Sequence, residues 1–152
     1  MATSGMIDPA MARIDFYLLA ASGESSRQMF ACRLAEKAWR LQHTVHIRAT
    51  DSRQARQLDD LLWTFRDGSF VPHDITGAAP PGSAAPITIG FIGHETDEGD
   101  LLINLTDELP EGLDTFPRVA EIVTSDEPCR QRSRKRFAEY RSRGHELQIH
   151  EL

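Results

Sequence analysis

Seven basic residues crowd into the fourteen positions 130–143 of a 152-residue chain whose net charge is −6. Only Glu139 opposes them there, so the segment is +6 and the rest of the chain totals −12. Guanidinium groups pair with carboxylates and phosphates through parallel hydrogen bonds. An acidic surface repels nucleic acid, whose binding depends on Lys and Arg, so we expect any anionic partner to meet this segment. Its basic residues are Arg130, Arg132, Arg134, Lys135, Arg136, Arg141 and Arg143.

The spacing within this segment predicts a helix that carries a basic and aromatic stripe. Residues at i, i+4, i+7 and i+11 share one helix face, which puts Arg130, Arg134, Phe137 and Arg141 together. We predict that this helix runs from about 127 to 143 and that Gly144 ends it. Three guanidinium groups around an aromatic ring would suit an acidic peptide with an apolar end.

Two other interpretations of the stripe stay open. Phe137 could belong to the core beneath a solvated basic surface, because Ala138 and Tyr140 lie beside the stripe and one side of the helix has to pack. The segment could also bind single-stranded nucleic acid directly, as basic grooves with exposed aromatic rings do. Phe137 and Tyr140 are its only aromatic residues, which counts against that interpretation.

No other set of residues predicts catalysis, a metal site or a cofactor. The turn after the first predicted strand, AASGESS, contains neither a G-x-x-x-x-G-K-[ST] phosphate loop nor a G-x-G-x-x-G fingerprint. The six histidines form no H-x-x-x-H pair and no C-x-x-C occurs, which argues against zinc. Cys32 lies mid-helix and is typical of a small packing residue. The sequence therefore favours a non-catalytic binding or adaptor protein.

The elements that would position the basic helix alternate between strand and helix patterns. Short apolar runs predict strands, and apolar residues three to four positions apart predict helices. Asp51 with Gln54 has the spacing of a helix capping box, and LLINL is typical of a central strand. This order predicts an α/β fold with a mostly parallel sheet. The predicted strands are 13–20, 44–49, 87–92, 101–105, 119–123 and 146–152; helices follow Ser25 and Asp51, with a long loop over 69–86 and an acidic turn over 93–100.

Length and composition predict one domain, residues 13–152, after a flexible tail over 1–12. No apolar run approaches the ~20 residues of a membrane span, and MATSGMIDPAMA lacks the features of a secretory signal. Two cysteines do not make a disulfide framework. We therefore expect a cytoplasmic protein without a membrane partner.

Several short sequence motifs occur in a characteristic order: FYLL, KAWR, DSRQARQLDDLLW, SFVPH, GDLLINL and RFAEYRSRG. In order and spacing, over about residues 13–152, the chain closely resembles the chi subunit of bacterial DNA polymerase III holoenzyme. The resemblance implies a single-domain, Rossmann-like three-layer α/β sandwich without a nucleotide-binding loop. It also implies a non-enzymatic adaptor that joins the clamp loader, through the psi subunit, to single-stranded-DNA-binding protein, so that its contact with DNA is indirect. Some chi proteins bind a helicase-like protein in competition with psi.

The resemblance also assigns two sets of site residues. One would bind the acidic C-terminal tail of single-stranded-DNA-binding protein, which ends in aspartates followed by Ile-Pro-Phe. The family's tyrosine is replaced here by Phe137, and a lysine frequent after it is replaced by Ala138. The other set would bind psi; without the resemblance, the favoured interpretation is that Trp63 closes the core and Phe70 pins a loop. The tail site comprises Arg130, Arg134, Phe137, Tyr140 and Arg141, and the psi site comprises Trp63, Phe70, Val71, Pro72 and Val123.

Overall fold

The computed structural model of the protein describes residues 12–65, 71–75, 85–91, 99–110 and 116–152. Among these residues, strands and helices alternate at first, four strands then follow in succession, and one helix precedes the last strand. The predicted strands and helices are confirmed, and a short strand lies within the predicted 69–86 loop. Most of that loop and most of the predicted acidic turn over 93–100 lie outside the described residues. The elements are β1 (Arg13–Leu18), α1 (Glu24–Arg40), β2 (Val45–Ala49), α2 (Ser52–Thr64), β3 (His73–Ile75), β4 (Ile87–Phe91), β5 (Leu101–Asn104), β6 (Arg118–Val123), α3 (Glu127–Ser142) and β7 (Glu146–Glu151).

The seven strands form one sheet in the order β3-β4-β2-β5-β6-β1-β7. Every neighbouring pair is parallel. β1 lies between β6 and β7, with Arg13 opposite both Arg118 and Glu146. The predicted α/β architecture is therefore confirmed, and the described sheet is wholly parallel.

Two apolar clusters lie on opposite faces of the sheet. On β6, Ala120 and Ile122 belong to the cluster beneath α1 and α2, whereas Val119 and Val123 belong to the cluster beneath α3. This alternation follows from the two-residue period of a strand. Helices on both faces of a parallel sheet give the three layers.

The three-to-four spacing of Phe30, Leu34, Ala38 and Leu41 predicts the buried face of the first helix, and this face is confirmed except at its end. Ala38 is buried, and Phe30 and Leu34 pack partly against the core. Leu41, however, is 62% exposed. The helix ends at Arg40, and Gln42 has a φ of 67°, so the chain turns away from the sheet before Leu41 can pack.

The predicted start of α2 is confirmed by its cap. The carboxylate of Asp51 accepts a hydrogen bond from the backbone N–H of Gln54 at 2.9 Å. The Gln54 side chain in turn accepts from the backbone N–H of Thr50, at 2.6 Å. These two contacts satisfy donors that a helix start would otherwise leave unpaired.

Most of the predicted N-terminal tail lies outside the described residues. Ala12 is described, and it is buried against the α3 cluster. Its N–H donates to Nδ1 of His145 at 2.9 Å, and its carbonyl accepts from the N–H of Glu146. None of the described helices is long and apolar enough to cross a membrane.

Candidate functional site: a groove beside the basic helix

The basic helix α3 begins at a strong N-terminal cap. Asp126 accepts hydrogen bonds from Thr124 Oγ1 at 2.5 Å and from the N–H of Cys129 at 3.4 Å. It also accepts from the N–H of Gly23, where α1 begins, at 3.4 Å. The Thr124 hydrogen bond is the main cause that lowers the pKa of Asp126. One carboxylate therefore serves the positive ends of two helices. At the other end Gly144, with a φ of 84°, stops the helix where a side chain would be strained.

A buried ionic network fixes α3 to the sheet. Glu121 of β6 is fully buried and accepts from Arg136 Nε at 3.1 Å and from the Tyr140 hydroxyl at 2.6 Å. Asn104 of β5 donates to the same carboxylate at 2.9 Å. Burial, followed by the negative charge of Glu121, raises the pKa of Tyr140 well above its ordinary value. Arg136 and Tyr140 therefore anchor the helix from its inner side.

With α3 held in this way, its outer edge and the sheet enclose a groove of about 270 Å³, called here the α3 groove. The sheet supplies an apolar wall and the helix supplies two arginines. Phe137 forms part of the wall, with its ring edge-on to Phe16 at 5.3 Å between centroids. The lining residues are Phe16 and Leu18 of β1, Val123 of β6, Ile149 of β7, and Arg130, Ser133, Arg134 and Phe137 of α3.

The two groove arginines differ in their surroundings. Arg134 is largely exposed, and its guanidinium lies 2.9 Å from the Glu127 carboxylate. Arg130 is half-buried, and its Nε is buried without a hydrogen-bond partner within the described part of the chain. An unpaired buried donor is unfavourable, and the described residues supply no acceptor for the Arg130 Nε–H.

Three of the residues predicted for the tail site line the groove, and two do not. Arg130, Arg134 and Phe137 are brought together as the helical spacing predicted. Tyr140 has no exposed surface, because its ring packs against Phe16 and its hydroxyl is held by Glu121. Arg141 is exposed but is not part of the groove lining. Tyr140 is therefore a core residue that supports the site from beneath.

The groove wall contains residues that the sequence analysis did not assign to it. Phe16 and Leu18 alternate along β1, and Ile149 lies in β7. Period-two alternation in RIDFYL and ELQIHE indicates which residues share a face. It does not indicate which helix covers that face, so the wall could be identified only from the fold.

The residues predicted for psi binding do not form one group. Trp63 lies on α2 and is 50% exposed, and its ring centroid is 4.9 Å from that of His73. Val71 is buried and its carbonyl accepts from His73 Nδ1 at 2.7 Å, while Pro72 is half-buried beside it. Phe70 lies outside the described residues.

Val123 is separate from that group. It lines the α3 groove, whereas α2 packs on the other face of the sheet. The prediction that groups Val123 with Trp63 is therefore not supported by their positions, since the sheet lies between them.

The thiol of Cys32 is fully buried in the core, and burial raises its pKa to about 12. A protonated, enclosed thiol packs as a small apolar side chain. Among the described residues, no three His, Cys, Asp or Glu side chains are grouped so that they could hold a metal ion.

Solved structures support the fold. The structure of T4 UvsW superposes with a TM-score of 0.68 at 7% sequence identity, covering 97% of this chain and 42% of that one. Saccharomyces cerevisiae Dbp5 gives a TM-score of 0.62 at 8% identity, covering 100% of this chain and 44% of its own. At such identities the likeness concerns the α/β fold alone.

Sequence comparisons identify the family as well as the fold. DNA polymerase III subunit chi of Pseudomonas aeruginosa is 42% identical over 142 residues, which cover 93% of this chain and 98% of the relative. The Escherichia coli subunit of the same name is 32% identical and covers 90% of this chain and 96% of its own. The family model described as "DNA polymerase III chi subunit, HolC" matches residues 11–148. Together with the parallel sheet and its flanking helices, these matches show that the chain belongs to the chi subunit family of DNA polymerase III, a family that is not itself catalytic.

Proposed function

We propose that this chain is an adaptor of the DNA polymerase III holoenzyme and that the α3 groove binds the acidic C-terminal tail of single-stranded-DNA-binding protein. The observation that carries the proposal is the combination of an apolar cavity and two arginines at its edge. An apolar terminal side chain would enter between Phe16, Val123 and Ile149, while carboxylates would meet Arg130 and Arg134.

The dimensions of the groove favour a peptide end. Small-molecule pockets typically measure ~300–1,000 Å³ and enclose most of their ligand, and this groove, at about 270 Å³, is smaller and open. It would hold one large side chain and leave the rest of a peptide on the surface. Arginine forks bind carboxylates bidentately, so a free terminal carboxylate and preceding aspartates would add directional contacts to the apolar one.

The second proposed partner is the psi subunit of the clamp loader. We propose that it binds around Trp63, with Val71, Pro72 and Phe70 nearby. A half-exposed tryptophan is a frequent anchor of protein interfaces, and Trp63 has half of its surface exposed. A helicase-like protein could use the same surface in competition with psi. Contact with DNA would then be indirect, through the two partners.

The proposal is tested by titrating the protein with a labelled peptide of several aspartates followed by Ile-Pro-Phe. We expect saturable binding that weakens as salt increases, because exposed charge pairs are screened, and no saturable binding of a peptide without the terminal Phe. Equal binding of both peptides would overturn the assignment of the apolar wall. A parallel titration with single-stranded DNA separates this function from direct nucleic-acid binding, which would show a steep salt dependence.

A further inference from the structure

The carboxylate of Glu127 forms an ion pair with Arg134, one of the two arginines that line the α3 groove. Its Oε1 lies 2.9 Å from Arg134 NH1, across two turns of α3, and both side chains are more than half exposed. We propose that Glu127 is an internal competitor, which an acidic ligand has to displace from Arg134 and which thereby limits how tightly the α3 groove holds that ligand. This inference rests on the function proposed above.

The other acidic residues of α3 and its cap are committed elsewhere. Asp126 caps the helix and accepts from three donors. Glu139 pairs with Arg143, at 3.3 Å, one turn along the helix, and neither residue lines the groove. Among these three carboxylates, only Glu127 is paired with an arginine of the groove.

The exchange is physically accessible because the existing pair is weak. An ion pair between two largely exposed side chains contributes little stability, since water competes for both groups. A peptide carboxylate that replaces Glu127 gains the same type of contact that is lost, so the net gain at Arg134 is reduced. Arg130 has no such competitor in the described part of the chain, and its buried Nε lacks a hydrogen-bond partner there. A ligand carboxylate would therefore meet the Arg130 guanidinium without displacing another group, and would meet Arg134 only by exchange.

A consequence concerns ligand charge. Glu127 repels every incoming carboxylate, and a peptide with several acidic residues has more ways to displace it than a peptide with one. Removing the Glu127 charge should strengthen binding of acidic peptides and leave binding of a peptide without any carboxylate, with neutral residues before the terminal Phe and an amidated C-terminus, nearly unchanged. The helix would then discriminate more strongly in favour of acidic ligands, but would release them more slowly.

The test compares Glu127→Gln with Glu139→Gln, which removes the same charge from the same helix away from the groove. For the peptide of aspartates followed by Ile-Pro-Phe at low salt, we expect Glu127→Gln to lower Kd by about two- to five-fold, as suits the loss of one exposed ion pair. The control should match the wild type. A version of the peptide without carboxylates, with Asn in place of Asp and an amidated C-terminus, should bind both variants equally.

Two results would overturn the inference. A weaker affinity in Glu127→Gln would mean that Glu127 orients Arg134 for the ligand instead of competing with it. An equal gain in Glu139→Gln would mean that only the net charge of the helix matters.

A separate experiment titrates the protein with citrate, a small carboxylate ligand. Its binding is observed through the NMR signal of the Arg134 Nε–H group. We expect this signal to shift at lower citrate concentrations in Glu127→Gln than in the wild type, and an unchanged response would contradict the competition. If the peptide binds none of the proteins, the proposed function fails while the citrate arm still decides the role of Glu127.

Discussion

Arg134 is the residue through which the charge of the groove can be tested without disturbing the fold. Its side chain is 64% exposed, and its ion pair with Glu127, the one it makes within the described residues, lies on the surface. Arg134→Glu would put two carboxylates beside each other where the peptide needs a cation. We expect a loss of about 2–5 kcal/mol in peptide binding, as for a reversed charge in a close contact, with an unchanged melting temperature.

The matched control for this change is Arg132→Glu. Arg132 is similarly exposed, pairs with Asp107 at 2.9 Å, and lies outside the groove lining. Peptide titration and thermal unfolding of both variants separate a local effect from a general one. A control that loses as much affinity as Arg134→Glu would show that the peptide responds to overall charge.

His46 predicts how the stability of the fold depends on pH. It is buried on β2, with Nδ1 2.8 Å from Thr88 Oγ1. Burial, aided by the charge of Arg48, lowers the pKa of His46 to about 4 from its model-peptide value of 6.5. Between pH 4 and pH 6.5, the His46 side chain is therefore largely protonated in the unfolded chain but neutral in the folded protein. The stabilising contribution is complete above pH 6.5 and is lost as the pH falls toward 4.

The expected loss is on the order of 3 kcal/mol in the free energy of unfolding, by the ~1.4 kcal/mol per pKa unit of linkage. Urea denaturation between pH 7 and pH 4 measures it. The variant His46→Asn should be less stable at pH 7 but should show a shallower fall over this range. An equally steep fall in the variant would assign the pH dependence to other groups.

At the scale of elements, the groove depends on how α3 is attached to the sheet. Glu121 of β6 receives both Arg136 and Tyr140 from the inner side of the helix. Glu121→Gln would leave the buried Arg136 without its counter-charge. We expect a loss of about 3–5 kcal/mol in stability, as for other broken buried pairs, together with weaker peptide binding because the helix loses its anchor.

Tyr140→Phe provides the milder comparison, since it removes one hydroxyl from the same carboxylate. It should cost about 1–2 kcal/mol in stability and leave the peptide Kd unchanged, because Tyr140 is beneath the groove. Chemical denaturation gives the first quantity and titration gives the second. A large effect of Tyr140→Phe on the peptide Kd would instead indicate that Tyr140 contacts the ligand.

The same helix shows what the sequence could and could not predict at this scale. Spacing alone correctly placed Arg130, Arg134 and Phe137 on one edge, because a helix has a fixed period. It could not rank Tyr140 against Phe137 as the buried ring, since both border the apolar side. That choice is made by Glu121, a residue of another element whose burial no local pattern reveals. The prediction that Leu41 belongs to the buried face of the first helix was wrong for a related reason, because periodicity does not determine where a helix ends or how its last residues pack.

At the scale of the whole molecule, the sheet separates the two proposed surfaces. The α3 groove lies on one face, and Trp63, on α2, lies on the other. An adaptor needs such an arrangement, since both partners can bind at once without contact between them. We expect Trp63→Ala to weaken psi binding strongly, as for a central aromatic anchor, and to leave binding of the tail peptide unchanged.

Because the Trp63 ring is half exposed, this variant should remain folded, which circular dichroism would verify. Pull-down with psi and titration with the peptide on the same preparation give the two readouts. Loss of both activities at once would indicate that the two faces are coupled or that the protein has unfolded.

The position of β1 between β6 and β7 has a consequence for how the protein is made in the cell. β1 leaves the ribosome before the other described strands, yet it pairs with β6 and β7, the two described strands that are furthest from it along the chain. Ala12 and His145, which meet beside β1, are 133 residues apart in sequence. β1 therefore has to wait, with Ile14 and Phe16 uncovered, until nearly all of the chain has been translated. Chaperone demand and sensitivity to premature termination should both be set by this delay, and a nascent chain that stalls before β7 would carry the basic helix without Ile149, the residue that β7 adds to the groove wall.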